Sequence, residues 1–313
     1  MNSYYKVQEW SIVEEQFNPS MQEASESIFS LGNGRMGQRA NFEENYSGES
    51  LQGNYIAGVY YPDKTRVGWW KNGYPEFFAK VLNAPNWIGI GLKVDGTEID
   101  LHQVKVLKFK RELNMKHGIL ERWFRVELDE GKMVEVHATR FLSIADDEIG
   151  AIRYALKPLN FDAEIEFSAG IDGQVHNRDS NYDEFFWELK ECTADHEKAV
   201  LVSETRKSQF RVAFSMKYDL FLGEKKLEPS ARVTEREGYA GYSMVAGVPA
   251  GEEITLYKYV SVVSSLNYEK EMLVEAGLKS LDRAFQKKFS VLLDDHMAEW
   301  EEHWAHSDIV IEG

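Results

Sequence analysis

Phe210, Val212, Phe214, Met216, Tyr218 and Leu220 occupy every second position over eleven consecutive residues. Six apolar residues at a strict period of two put all of them on one face of an extended strand, because successive strand side chains point to opposite sides. The pattern recurs along the chain. Leu120, Phe124, Val126 and Leu128 share one parity, and Val134, Val136, Ala138 and Leu142 share another with Arg140 among them. Ala163, Ile165, Phe167 and Ala169 alternate with polar or small partners, and a last strand is expected over 254–263. Asp95-Gly96, Asp172-Gly173, Gly118, Gly131 and Gly223 fall between these runs, where hairpins call for positive φ. Strand signals at roughly 8- to 12-residue spacing predict a mainly β chain, a large antiparallel sandwich and not a βαβ fold.

After Leu266 the period changes. Val274, Leu278, Leu281, Phe285, Phe289 and Leu292 step by three or four residues, which is one helical face. A second helical stretch is expected over 294–304, where Trp300 and Trp304 share a face. This divides the chain into a β region, 1–266, and a helical region, 267–313. The run Ile309-Val310-Ile311 then looks buried with little left to pack on, and reads as the lead-in to a further domain.

Of the 313 residues 36 are Lys or Arg and 52 are Asp or Glu, a net charge of −16. No basic stripe offsets that excess, which argues against a nucleic-acid binder or an anionic membrane surface. One cysteine, Cys192, excludes an internal disulfide and a cysteine-built zinc site, and reads as a structural thiol. The N-terminus has no basic segment followed by an apolar core, and no stretch approaches the roughly 20 apolar residues of a membrane span.

Residues 32–37, Gly-Asn-Gly-Arg-Met-Gly, match the dinucleotide fingerprint in letters, but no helical pattern follows, so they read as a turn. The carboxylate groups Glu43-Glu44, Asp146-Asp147-Glu148, Asp294-Asp295 and Glu301-Glu302 are sequence neighbours. Glycoside chemistry needs two carboxyls facing each other across a bond, which adjacency does not supply. Asp146-Asp147 is expected in a turn, and the later pairs on a solvated helix face. The eight histidines include no H-E-x-x-H, and His303 and His306 form only weak metal spacing. The segment 60–78 holds aromatics, both charge signs and two prolines without strand alternation, and reads as a long ordered loop.

Residues 27–44, with Leu31-Gly32-Asn33-Gly34-Arg35-Met36-Gly37-Gln38-Arg39, and 51–60, Leu-Gln-Gly-Asn-Tyr-Ile-Ala-Gly-Val-Tyr, resemble the N-terminal domain of glycoside hydrolase family 65, the inverting disaccharide phosphorylases. The loop 62–77 and Leu82-Asn83-Ala84-Pro85-Asn86-Trp87 are similar to the maltose phosphorylase branch more than to the trehalose or kojibiose branches.

The resemblance implies a galactose-mutarotase-like super-sandwich followed by linker helices, with an (α/α)6 catalytic barrel beyond them and a homodimeric, cytoplasmic enzyme. It implies that a barrel glutamate acts as general acid while inorganic phosphate attacks the anomeric carbon, so that no metal or organic cofactor is needed. The substrates would be phosphate and an α-linked glucose disaccharide, here maltose. Trehalose, kojibiose or nigerose are alternatives, as is a stand-alone carbohydrate-binding sandwich. No residue of this chain would be catalytic. Trp69, Trp70, Lys71, Asn72 and Tyr74 are the candidate substrate-entrance loop. A mutarotase-like sandwich acting alone would instead need a histidine, His137 or His176, to converge with a carboxylate in a cleft.

Overall fold

The computed structural model describes residues 4–65, 73, 75–178, 185–228 and 231–309. Among these, one antiparallel sheet of eleven strands carries most of the chain. Its order is Tyr5–Val7, Ser11–Glu14, Lys105–Asn114, Ile119–Glu127, Met133–Leu142, Ile149–Pro158, Ile254–Ser264, Arg211–Leu222, Ala199–Thr205 and Trp187–Ala194, with Lys225–Leu227 added beside the end of Arg211–Leu222. A second antiparallel sheet runs Arg232–Arg236, Tyr239–Val248, Ala163–Asp172, Ile90–Val94 and Thr97–Glu98. The period-two faces meet between the sheets. Phe124, Val136, Leu156, Phe214 and Leu256 pack there against Ile90, Leu92, Ile165, Phe167 and Met244 in one continuous core.

Strand Ile254–Ser264 is buried at ten of its eleven positions, not at alternate ones. The cause is a third layer. The helix Leu273–Ser307 lies on the outer face of the large sheet, with Leu281, Ala284, Phe289 and Leu292 against Phe141, Ile149, Ala151 and Tyr259, and Leu273 against Val200, Val202, Ala213 and Val263. A strand covered on both sides loses its polar parity.

The two helical stretches expected on either side of residue 293 are not separated there. The only non-helical backbone inside the helix is at Lys288, with φ 66° and ψ 164°. Its Nζ lies 2.7 Å from Oδ2 of the buried Asp219, and the next amide, that of Phe289, donates to the Tyr259 hydroxyl at 3.1 Å. Tertiary partners therefore move the break to a lysine that carries no helix-stop signal. Trp300 stacks on Trp304 at 5.9 Å, as their spacing predicts, and Trp304 in turn meets Trp10. Ile309 is exposed, and residues 310–313 of the terminal apolar run lie outside the described residues.

Asp95 and Gly96, at φ 48° and 79°, form the two-residue turn joining Val94 to Thr97. Gly118, Gly131 and Gly223 also have positive φ. Gly173 does not, and Asp172 belongs to a strand: the chain leaves the sheet there in an extended path, because Asn86 and Gly238 take its backbone bonds in place of a hairpin partner. Residues 32–37 form a tight hairpin between Leu31–Gly32 and Met36–Gln38, with the Asn33 side chain accepting from the amides of Arg35 and Met36. The segment read as a loop over 60–78 is in part a β-hairpin, Tyr60–Lys64 paired with Phe77–Val81. Its first strand buries Tyr61, against Phe186 at 4.5 Å, and Asp63, while Tyr60, Phe77, Phe78 and Val81 are exposed; apolar residues on the exposed face hide the alternation in the sequence.

Candidate functional site

Three arginines sit on the apolar parity of neighbouring strands, Arg111, Arg122 and Arg140, each almost fully buried. Buried charge is costly unless paired, and the partners come from the N-terminal segment that crosses this end of the sandwich. Arg122 Nη2 reaches Glu43 Oε2 at 2.5 Å and both Glu44 oxygens at 2.8 and 2.6 Å. Arg140 Nη1 bonds Glu43 Oε1 at 2.8 Å, the Tyr154 hydroxyl donates to Glu44, and Arg111 pairs with Glu14 at 3.3 Å and Gln22 at 2.8 Å. Burial opposes ionisation of Glu43, but Arg140 and Arg122 outweigh it and hold its carboxyl below the ordinary value.

Lys258, on the same inner face, donates to the carbonyls of Gly89 and Gly170 at 2.8 Å each, tying the large sheet to the small one. Burial lowers its ammonium to about 7 against the pull of Glu43. With every carboxylate in this cluster held by a cation or hydroxyl, its role is to fix the N-terminal segment onto the sandwich.

A cleft of about 640 Å³ opens where the long helix meets the loop after Met133–Leu142, lined by Glu148, Ser265, Asn267, Tyr268, Lys279 and Arg283. Burial raises the Glu148 carboxyl, which accepts from the Tyr268 hydroxyl at 3.1 Å and lies 3.8 Å from Arg35. Its neighbours in sequence are also paired, Asp147 with Arg35 at 2.8 Å and Asp146 with Arg283 at 3.5 Å. Nδ1 of the buried His296 accepts from the amide of Ile144 at 3.1 Å. Glu269 and Glu275 line the same cleft, so carboxylates other than Glu148 face it. The arrangement clasps the 143–149 turn to the helix.

Residues 12–303 match the family model described as glycosyl hydrolase family 65, N-terminal domain. The chain belongs to this family. It is 41% identical over 311 residues to maltose phosphorylase of Bacillus subtilis (strain 168), covering 99% of this chain and 40% of that protein. It is 32% identical to alpha,alpha-trehalose phosphorylase of Thermoanaerobacter brockii, covering 99% of this chain and 41% of that one. The fold matches a putative kojibiose phosphorylase from human microbiome with a TM-score of 0.87 at 24% identity, over 99% of this chain and 40% of that chain. The chain thus spans about two fifths of the length of the curated relatives it matches.

In this family 65 domain the sequence-derived entrance loop, Trp69, Trp70, Lys71, Asn72 and Tyr74, lies outside the described residues; the hairpin that carries it is described. His137 sits on the outer face of the large sheet with Nε2 3.7 Å from Glu121, and His176 packs on Phe185 at 4.5 Å. Neither lines the cleft beside Glu148, so the two are not brought together with a carboxylate there. Glu43 and Glu44, read as carrying no specific signal, are the centre of the buried ionic cluster. Asp146 and Asp147 lie in a turn, as expected, and Asp294, Glu301 and Glu302 are exposed on the helix.

Cys192 is half-buried and packs against the core. Among the described residues no group of three or more His, Cys, Asp or Glu is placed to hold a metal ion. No helix of the described residues is long and apolar enough to cross a membrane.

Proposed function

We propose that the chain is the non-catalytic N-terminal super-sandwich, 1–266, and helical linker, 267–313, of a cytoplasmic, homodimeric maltose phosphorylase. The whole enzyme converts maltose and inorganic phosphate to β-glucose 1-phosphate and glucose. The observation that carries the choice of maltose is the margin in identity, 41% to a maltose phosphorylase against 32% to a trehalose phosphorylase, over nearly the whole chain in both cases. In this reading a barrel domain beyond this chain supplies the acid, and Glu43 and Glu44, tied to Arg122, Arg140 and Tyr154, serve the fold. Phosphate is the nucleophile, so no general base has to activate water and no metal or organic cofactor is required.

Trp69, Trp70, Lys71, Asn72 and Tyr74, which fall in sequence between the paired strands Tyr60–Lys64 and Phe77–Val81, help to shape the substrate entrance of that barrel in this reading. The sugar product tests the reaction class: proton NMR of full-length enzyme turning over maltose in phosphate should show β-glucose 1-phosphate as the first-formed anomer. Formation of the α anomer, or of two glucose molecules without phosphate uptake, contradicts the reading. Sedimentation of the full-length enzyme should give a dimer.

A further inference from the structure

A second cleft, of about 720 Å³, lies at an interrupted edge of the large sheet. Strand Arg211–Leu222 is paired along that edge by Ala199–Thr205 only as far as Met216, and by Lys225–Leu227 only from Leu220 onward. Lys217, Tyr218 and Asp219, between them, have ladder partners on the other side alone, in Ile254–Ser264. His196 and Glu197 flank the gap from one turn, Lys226, Leu227 and Glu228 from the other, and Phe285 of the long helix closes the remaining wall. Backbone groups at a three-residue gap have no strand to pair with, and the gap is too short to accept a peptide strand of ordinary length.

The side chains point to the kind of molecule that fits. Tyr218 is half-buried with its ring 5.0 Å from that of Tyr242; the Tyr242 hydroxyl is buried without a hydrogen-bond partner among the described residues but does not line the cleft. The Phe285 ring already carries the Lys288 ammonium at 3.8 Å, which leaves Tyr218 as the aromatic surface of the cleft. Lys217 is taken up by Asp282 at 2.6 Å and Lys226 by Asp219 at 2.8 Å. No unpaired cation is left for a phosphate, and the lining carries three acidic side chains against two basic ones. A cavity of this size with an aromatic face, an open strand edge and paired charges suits a neutral polyhydroxylated ligand, which could set its C–H face on Tyr218 and its hydroxyls against Glu197, Lys226 and the strand edge.

We propose that the cleft between the 195–198 turn and Lys225–Leu227, floored by Tyr218, is a binding site for neutral oligosaccharide. The choice of a glucosyl chain as ligand rests on the function proposed above.

Maltotetraose is titrated against the 313-residue chain by calorimetry, with saturation-transfer NMR to confirm contact. Binding is expected in the parent chain, to weaken about fivefold in Tyr218→Phe, which loses one hydrogen bond, and to fall more than tenfold in Tyr218→Ala. Lys226→Ala, on the opposite rim, should weaken it as well and remains informative if Tyr218→Ala does not fold. Absence of binding in the parent chain overturns the proposal, as does binding unchanged in both Tyr218→Phe and Lys226→Ala. Maltose phosphorolysis by the full-length enzyme is measured in parallel. Phosphorolysis without oligosaccharide binding to the chain overturns this site and leaves the enzyme assignment standing; binding without phosphorolysis does the reverse.

Discussion

Arg122 shares its interior with Glu43, Glu44 and Tyr154, and removing one member strands the others without water. Arg122→Met is therefore expected to cost about 3–5 kcal/mol, the range for breaking a buried pair on one side, read as a lower denaturation midpoint at unchanged slope. Lys258 carries a pH signature. Its ammonium titrates near 7 in the fold and at the ordinary 10.5 when unfolded, so between those values the unfolded chain holds the extra proton. The cost of burying the charge is complete below pH 7 and is relieved as pH rises from 7 toward 10. Unfolding free energies at pH 7 and pH 9.5 should show the parent gaining stability relative to Lys258→Met; parallel curves would contradict this. The arginines of the cluster were half-legible: Arg140 stands on the parity of Val134, Val136 and Ala138, which announces a buried charge. Its partner Glu43, 97 residues away, was not, because strand periodicity says which face a residue takes and nothing about what a distant loop brings to it.

At the scale of elements, the long helix is the place where local signals and structure part. Its apolar stripe was readable from Val274 to Leu292, since a period near 3.6 needs no tertiary information. The break at Lys288 was not, since it is imposed by Asp219 and Tyr259 on the sheet beneath. Lys288 holds a φ that ordinarily belongs to glycine, at a cost of about 1–3 kcal/mol. Lys288→Gly is thus expected to be more stable than Lys288→Ala, both having lost the ion pair, whereas alanine wins at an ordinary helix interior by about 1 kcal/mol. Thermal unfolding of the two variants decides it, and a more stable alanine variant would count against the strain. His296, lowered to about 4 by burial, gives the helix an acid limit. As pH falls from 6.5 toward 4 the unfolded chain takes up the proton first, so stability is lost in that window. His296→Phe should flatten the loss, with a lower stability at pH 7 from the missing bond to Ile144. The strands were legible throughout, 254–263 included, but which face each buries was legible only where the other face meets water; in Ile254–Ser264 the helix covers that face and the alternation is lost.

For the whole molecule, the layered sandwich, the covering helix and the family 65 match agree on an N-terminal domain that spans two fifths of its relatives' length. The family was readable from short polar and glycine-containing segments, above all 27–44, which holds the 32–37 hairpin and the cluster's Glu43 and Glu44, and 51–60, whose strand Asn54–Ile56 pairs with Met36–Gln38. The reaction came only with that resemblance, because no residue pattern in this chain spelled it out on its own. The entrance loop should act only within the complete enzyme: replacing Trp69 and Trp70 together by alanine in the full-length protein is expected to raise KM for maltose about tenfold or more while leaving the fold intact. The central claim is tested most directly by phosphate-dependent glucose release from maltose, trehalose, kojibiose and nigerose, with the full-length protein measured beside the 313-residue chain. Cleavage of maltose in preference to the others, by the full-length protein alone, is the expected result. Preference for another disaccharide would contradict the maltose assignment, and turnover by the 313-residue chain itself would contradict a non-catalytic domain.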